Sequence, residues 1–387
     1  MMEPTRFRTA VGAALTLAVS AVLLPASAAS AAGHEAAAPT GGATEARTVN
    51  SATVDAFGRI ADAVLTDRTA ALLDAKPTRR IAPLGNKHTR LTAGLARSEN
   101  SALSSLRSRK ARLAALGEAY TSADTRTTVD KVRVKDGRAT VQVTETTTLR
   151  YKKVRGDEPA TTGFQAHHEL SFAARPGGTW ELTGMKAKED ALTAINAPTT
   201  TVATTAGVLP KATPASTSWP APAKPKRQLP DGYDYKAMAV YAEKYWRNYN
   251  PAYRKFNDAG GDCTNFISQA LKAGGWKHDS GMYDDYRNWW YDARYQTNSW
   301  VGADDWSWFA LHSKRATNLA NVYQMGLGDI LQLDFDRNGS KDHSMITTYR
   351  SWSGVPYLTY HQTNTYRKSV ASIIATNPRA LYYAYRT

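Results

Sequence analysis

The chain has 387 residues, 42% hydrophobic and 21% charged, with 49 Lys+Arg against 34 Asp+Glu and a single cysteine. That length suits about two domains, and a lone cysteine with no His-Glu-x-x-His spacing argues against a catalytic zinc site. The net charge of +15 does not by itself point to nucleic acid, since the basic part lacks interleaved aromatics.

The first stretch reads as an address. Arg6 and Arg8 precede an unbroken small-and-apolar run from Ala10 to Leu24, and Pro25-Ala26-Ser27-Ala28 offers an A-x-A cleavage site. This is the pattern of a secretory signal peptide over residues 1–31, cut after Ala28 or Ala31. The run is too short for a membrane anchor, and no other segment approaches 18 apolar residues. A secreted, extracellular protein is expected, with no membrane anchor and, being exported, no nucleic-acid partner. Residues 32–50 read as disordered.

A basic α+β domain is expected over residues 51–186. Thr53–Leu73 and Ser98–Tyr120 have helical spacing, the second with Leu103, Leu106, Leu113 and Leu116. Strand patterns follow at Val129–Lys135, Ala139–Tyr151, Phe164–Ala174 and Thr179–Met185, separated by glycine-containing turns. His167-His168 beside Glu169 suggests a metal site, but a strand turns neighbours to opposite faces, so both histidines read as structural. Helices followed by an antiparallel meander, ending in Gly177-Gly178-Thr179-Trp180-Glu181-Leu182, resemble the nuclear-transport-factor-like cone fold. Most of the excess charge, +12, lies before residue 231. It suits an anionic wall polymer, or is ordinary solubilising charge.

Residues 187–230 hold seven prolines among Ala, Thr and Lys and read as an extended linker. Beyond it, Tyr235–Tyr249 has helical spacing. Gly260-Gly261-Asp262-Cys263-Thr264-Asn265-Phe266-Ile267-Ser268-Gln269-Ala270-Leu271 then places Cys263 at the first turn of an amphipathic helix, with Asp262 as N-cap and Gly274-Gly275 as stop. A helix start favours thiolate over thiol. Residues 277–300, rich in aromatics, read as surface segments over that site, with any one tryptophan there more often core than groove, and Ala303–Lys314 reads as a helix. Strands are expected at 328–335, 343–349, 357–361 and 380–386. His343 opens its strand and can serve as the general base. His361, on the neighbouring strand, fits the group that orients the imidazole, with Asn364 as its rival. Asp334-x-Asp336-x-Asn338-Gly339-x-x-Asp342 spaces oxygen ligands as calcium loops do, but Met345 stands where a bidentate Glu belongs. A structural calcium ion and a solvated acidic hairpin both stay open.

Asp-Cys-Thr-Asn-Phe-Ile-Ser-Gln, Gly-Gly-Trp, Gly-Asp-Ile, Asp-His-Ser and Tyr-His-Gln-Thr-Asn together resemble the amidase domain of exported bacterial proteins, similar in turn to NlpC-type and CHAP cysteine peptidases of the papain-like class. The resemblance covers about residues 233–386 within a domain set at 231–387. It implies helices packed on an antiparallel sheet, no required cofactor, and Cys263 as nucleophile, His343 as base and His361 as orienting group. It also implies an upstream tyrosine, for which Tyr253 is a candidate at a spacing of ten, and amide bonds of peptidoglycan as substrate. The other readings are a wall-peptide endopeptidase or transpeptidase using the same residues, and a non-catalytic wall-binding protein.

Overall fold

A computed structural model describes residues 49–74, 91–188, 212–221, 223, 232–257 and 261–387. The expected signal peptide over residues 1–31, residues 32–48 and most of the proline-rich segment lie outside the described residues. Two helices lead. Helix α1 (Ser51–Ala70) begins where Asn50 Oδ1 accepts the Thr53 amide at 2.8 Å. Helix α2 (Ala93–Ala115) begins after Thr92, whose hydroxyl accepts the Leu95 amide at 3.3 Å. That cap moves α2 five residues ahead of the spacing-based expectation, and Tyr120 belongs to the next strand. Arg68 of α1 forks onto buried Glu99 of α2 at 2.8 and 2.7 Å, tying the pair together.

Strands β1 (Tyr120–Lys135), β2 (Arg138–Tyr151), β3 (Thr161–Arg175) and β4 (Thr179–Ala187) form an antiparallel meander. Strict alternation buries one face of β2, and Ala139, Val141 and Val143 pack with Phe57, Ile60 and Val64 of α1. His168, on that face, pairs its Nε2 with buried Glu145 at 2.9 Å, while His167 Nδ1 lies 2.9 Å from the Thr144 hydroxyl. The two rings therefore serve separate partners.

The second half contributes α3 (Tyr235–Tyr245), α4 (Cys263–Ala273), α5 (Asn298–Val301), α6 (Ala303–His312), β5 (Thr317–Leu319), β6 (Ile330–Asp334), β7 (His343–Arg350), β8 (Pro356–Tyr360), β9 (Asn364–Ser369), α7 (Val370–Thr376) and β10 (Leu381–Arg386). All strands join one sheet in the order β1-β2-β3-β9-β8-β7-β6-β10-β5, with β4 on β3. The link is β3, where Gly163, Phe164 and Gln165 pair antiparallel with Tyr366, Thr365 and Asn364 of β9. Residues on both sides of the proline-rich segment thus share one ladder, within a compact unit spanning Ala46–Thr387.

Pleating sorts the core onto the two faces of this sheet. Leu331, Met345, Tyr382 and Ala384 join Leu103 and Leu106 of α2 and Val370 and Ile373 of α7. Their neighbours Ile330, Ile346, Tyr383 and Tyr385 join α3, α4 and α6 on the other face. Trp289 and Trp300 are part of that second core rather than a surface covering, because their indole N–H groups find buried acceptors.

Phe164, fully buried at the β3–β9 junction, tests the continuity. Phe164→Ala is expected to cost about 3–5 kcal/mol. Eight of the ten tryptophans lie beyond residue 231, so urea unfolding followed by their fluorescence should register that loss in full.

Candidate active site

Helix α4 is buried from Cys263 to Leu271, including its polar residues. Each polar side chain therefore needs a partner. Thr264 Oγ1 meets Ser344 Oγ of β7 at 3.0 Å. Asn265 donates to the Arg254 carbonyl at 3.0 Å and accepts from the Trp300 indole at 2.8 Å. Ser268 donates to the Trp300 carbonyl at 2.9 Å and accepts from the Trp289 indole at 3.2 Å. Gln269 accepts the Tyr241 hydroxyl at 2.7 Å. These connectors, which the sequence reading passed over, are the polar letters of the Thr-Asn-Phe-Ile-Ser-Gln run.

The chain enters α4 through Gly261, whose φ is +121°. The backbone angle is what calls for glycine; a Cβ there would also lie 2.2 Å from Gln362 Oε1, displacing the end of that side chain. Asp262 stands at the N-cap position but makes no capping bond. Its Oδ1 instead accepts from the Phe256 amide at 3.0 Å and from Asn265 Nδ2 at 2.9 Å, and its Oδ2 lies 2.6 Å from His361 Nδ1. With these three partners the carboxyl is turned away from the amides of its own helix.

Cys263 is 6% exposed. Burial pushes its thiol up, against the opposing pull of the Ser344 backbone N–H and the Thr264 hydroxyl 3.8 Å away. The helix start therefore does not yield a resting thiolate: desolvation of the charged form is the larger effect. His343, the residue before Ser344, is wholly buried, and neither ring nitrogen has a hydrogen-bond partner. Its ring meets Tyr360 edge-on at 5.3 Å. Burial, then the charges of Lys368 and His361, hold its imidazolium form down to about 3.

The structure does not hydrogen-bond His361 to His343. The His361 ring lies between Tyr249 and Phe266, at centroid distances of 3.9 and 4.0 Å, and its Nε2 faces the Tyr245 carbonyl at 2.9 Å. Asn364 serves the same cluster, accepting the Tyr249 hydroxyl at 3.0 Å. Tyr253 packs against Tyr291 and Trp300, at 5.0 and 6.1 Å.

In the acidic hairpin, Asp334, Asp336 and Asp342 bring carboxylate oxygens within 4.8 Å of one another. Asp334 already accepts the Arg337, Asn338 and Gly339 amides at 2.6, 3.2 and 2.9 Å, and Asp342 accepts that of Phe335 at 2.7 Å. The carboxylates close the turn that delivers His343.

Residues 232–385 match the model of a family described as "Putative amidase domain". Two curated relatives, both from Bacillus subtilis (strain 168), are similar to parts of the chain. Uncharacterized protein YhbB is 33% identical over 129 residues, 33% of this chain and 40% of its own length. Uncharacterized protein YjcM is 32% identical over 143 residues, 34% of this chain and 32% of its own. The chain thus spans less than half of either relative. Among solved structures, the intermembrane space region of the chloroplast protein ARC6 is 19% identical, covering 36% of this chain and 97% of that one at a TM-score of 0.24.

His343 gives a pH signature. Between the ordinary 6.5 and about 3, the unfolded chain binds a proton that the folded chain refuses. Stability is therefore lost as pH falls through that window, by up to about 1.4 kcal/mol per unit. Chemical denaturation from about pH 7 to about pH 4.5 should cost the wild type about 2–3 kcal/mol more than His343→Gln. The comparison is a difference because Glu118, raised by burial to about 7, contributes the opposite slope.

Proposed function

We propose that the protein is an exported cysteine amidohydrolase acting on amide bonds of bacterial peptidoglycan, with a papain-like catalytic region. The carrying observation is that the one cysteine, at the start of a buried helix, faces the backbone N–H of Ser344, and the adjoining His343 is buried with neither ring nitrogen hydrogen-bonded. That pairing falls inside the stretch matched by the amidase family model.

The resting pair is neutral, so the reaction starts with a proton transfer. As the amide carbonyl approaches, His343 takes the Cys263 thiol proton while sulfur bonds to the carbonyl carbon. The imidazolium that burial disfavours is then stabilised by the negative charge formed beside it. The backbone N–H of Cys263, in the first turn of α4 where helix amides have no intrahelical acceptor, donates to the tetrahedral oxyanion. Collapse breaks the C–N bond, and the imidazolium proton goes to the departing amine. Water, deprotonated by His343, then attacks the thioester, releasing a carboxylic acid and restoring the thiol. The basic half, which carries +12 of the net charge, suits the chain to anionic wall polymers.

The buried thiol, pushed up and without a hydrogen bond to either histidine, favours a second reading. In that reading the region holds wall peptides without cutting them.

Mass spectrometry of purified sacculi digested by the mature protein separates the two. New free amino groups should appear with the wild type and vanish with Cys263→Ala. His343→Ala should lower the rate by about 10²-fold or more. Wall binding by both proteins with no release from either would establish the binding module instead.

A further inference from the structure

We infer that His361 is held as an imidazolium and acts as a positioning residue for Cys263 through Asp262, rather than on His343. The argument is a count of donors and acceptors. Tyr245 offers His361 Nε2 a carbonyl oxygen at 2.9 Å, and a carbonyl only accepts, so Nε2 carries a hydrogen. On the other side Nδ1 lies 2.6 Å from Asp262 Oδ2, a charge-assisted distance. The other oxygen of Asp262 accepts two N–H groups, from Phe256 and Asn265, and bonds of that kind favour the ionised carboxylate over one that carries a proton on Oδ2. Both ring nitrogens therefore face acceptors, and both carry protons.

Three further features of the surroundings suit a cation. Tyr245 is the last residue of α3, and the carbonyl end of a helix favours positive charge. Tyr249 and Phe266 present aromatic faces to the two sides of the ring, at 3.9 and 4.0 Å. The ion pair is almost wholly shielded from water, with His361 at 1% and Asp262 at 0% exposure, so screening does little to weaken it.

The imidazolium joins the end of α3, the start of α4 and the end of β8. Asp262 is the residue before Cys263, so the pair fixes the backbone from which the sulfur and its oxyanion-directed N–H project. Asn364 supports it indirectly, by holding the Tyr249 hydroxyl. A group with both nitrogens spent this way has no lone pair to take a proton from sulfur or to accept one from His343.

The charge state is tested directly by ¹⁵N–¹H spectra of the folded protein labelled at histidine, with His361→Gln used to assign the ring. Both His361 ring nitrogens should bear protons at about neutral pH; one bare nitrogen overturns the inference. The positioning role rests on the amidohydrolase reading and has its own readouts. His361→Gln and Asp262→Asn should each lower amine release from sacculi by about tenfold or more, chiefly in kcat, and the double variant should be no worse than the single ones. Iodoacetamide should alkylate Cys263 faster in both single variants, as the start of α4 loosens and the sulfur becomes reachable. Unchanged alkylation and unchanged release would remove the positioning role. Amine release that survives Cys263→Ala would sink the amidohydrolase reading and leave the spectral result standing.

Discussion

Burial of α4 on all sides is the constraint on which the rest of the second half depends. An amphipathic helix at a surface can leave its polar residues to water. Here Thr264, Asn265, Ser268 and Gln269 are enclosed, and leaving any one of them unpaired would cost on the order of 1–3 kcal/mol. Their partners come from several elements: Ser344 on β7, the Arg254 carbonyl, Trp289, Trp300 (which serves both Asn265 and Ser268), and Tyr241 on α3. The helix is thereby fixed in rotation as well as position, and with it the direction in which Cys263 points.

Much of this arrangement is legible locally. The glycines, the aspartate and the apolar spacing locate α4 to within a residue, and alternation locates β2, β3, β6 and β7. Whatever depends on distant partners is not legible. The N-cap rule is local and assigns the Asp262 side chain to its own helix; His361, 99 residues further on, takes it instead. Strand β9 goes without a strand signal because its buried positions include Asn364, Thr365 and Lys368, which carry no hydrophobic alternation. Helix α7 follows it unannounced, started by Ser369, whose hydroxyl accepts the Ser372 amide at 3.1 Å. The tryptophans after residue 277 are ambiguous for a related reason. Composition cannot tell an aromatic that covers a site from one that fills a core.

Hydrogen bonding at the two histidines diverges although both are buried. His343 has no acceptor in reach and is neutral by desolvation. His361 has acceptors on both nitrogens and aromatic faces above and below. Burial alone does not decide the protonation of an imidazole; the partners it is buried with do. Two identical residue types, one opening β7 and the other just past the end of β8, thus sit in opposite hydrogen-bonding surroundings.

Strand β3 has one edge and two claimants. Gly163–Gln165 are paired with β9, and from His168 to Arg175 the same edge is paired with β4. Only Ala166 and His167 separate the two tenancies, and the His167 carbonyl is already taken by the Lys188 amide at 2.9 Å. Extending the open end of the β3–β4 ladder two residues past Lys188 would reach Gln165 and so displace β9. The reach of that hairpin therefore sets whether the basic half and the cysteine-bearing half remain one sheet or become two that merely share a chain.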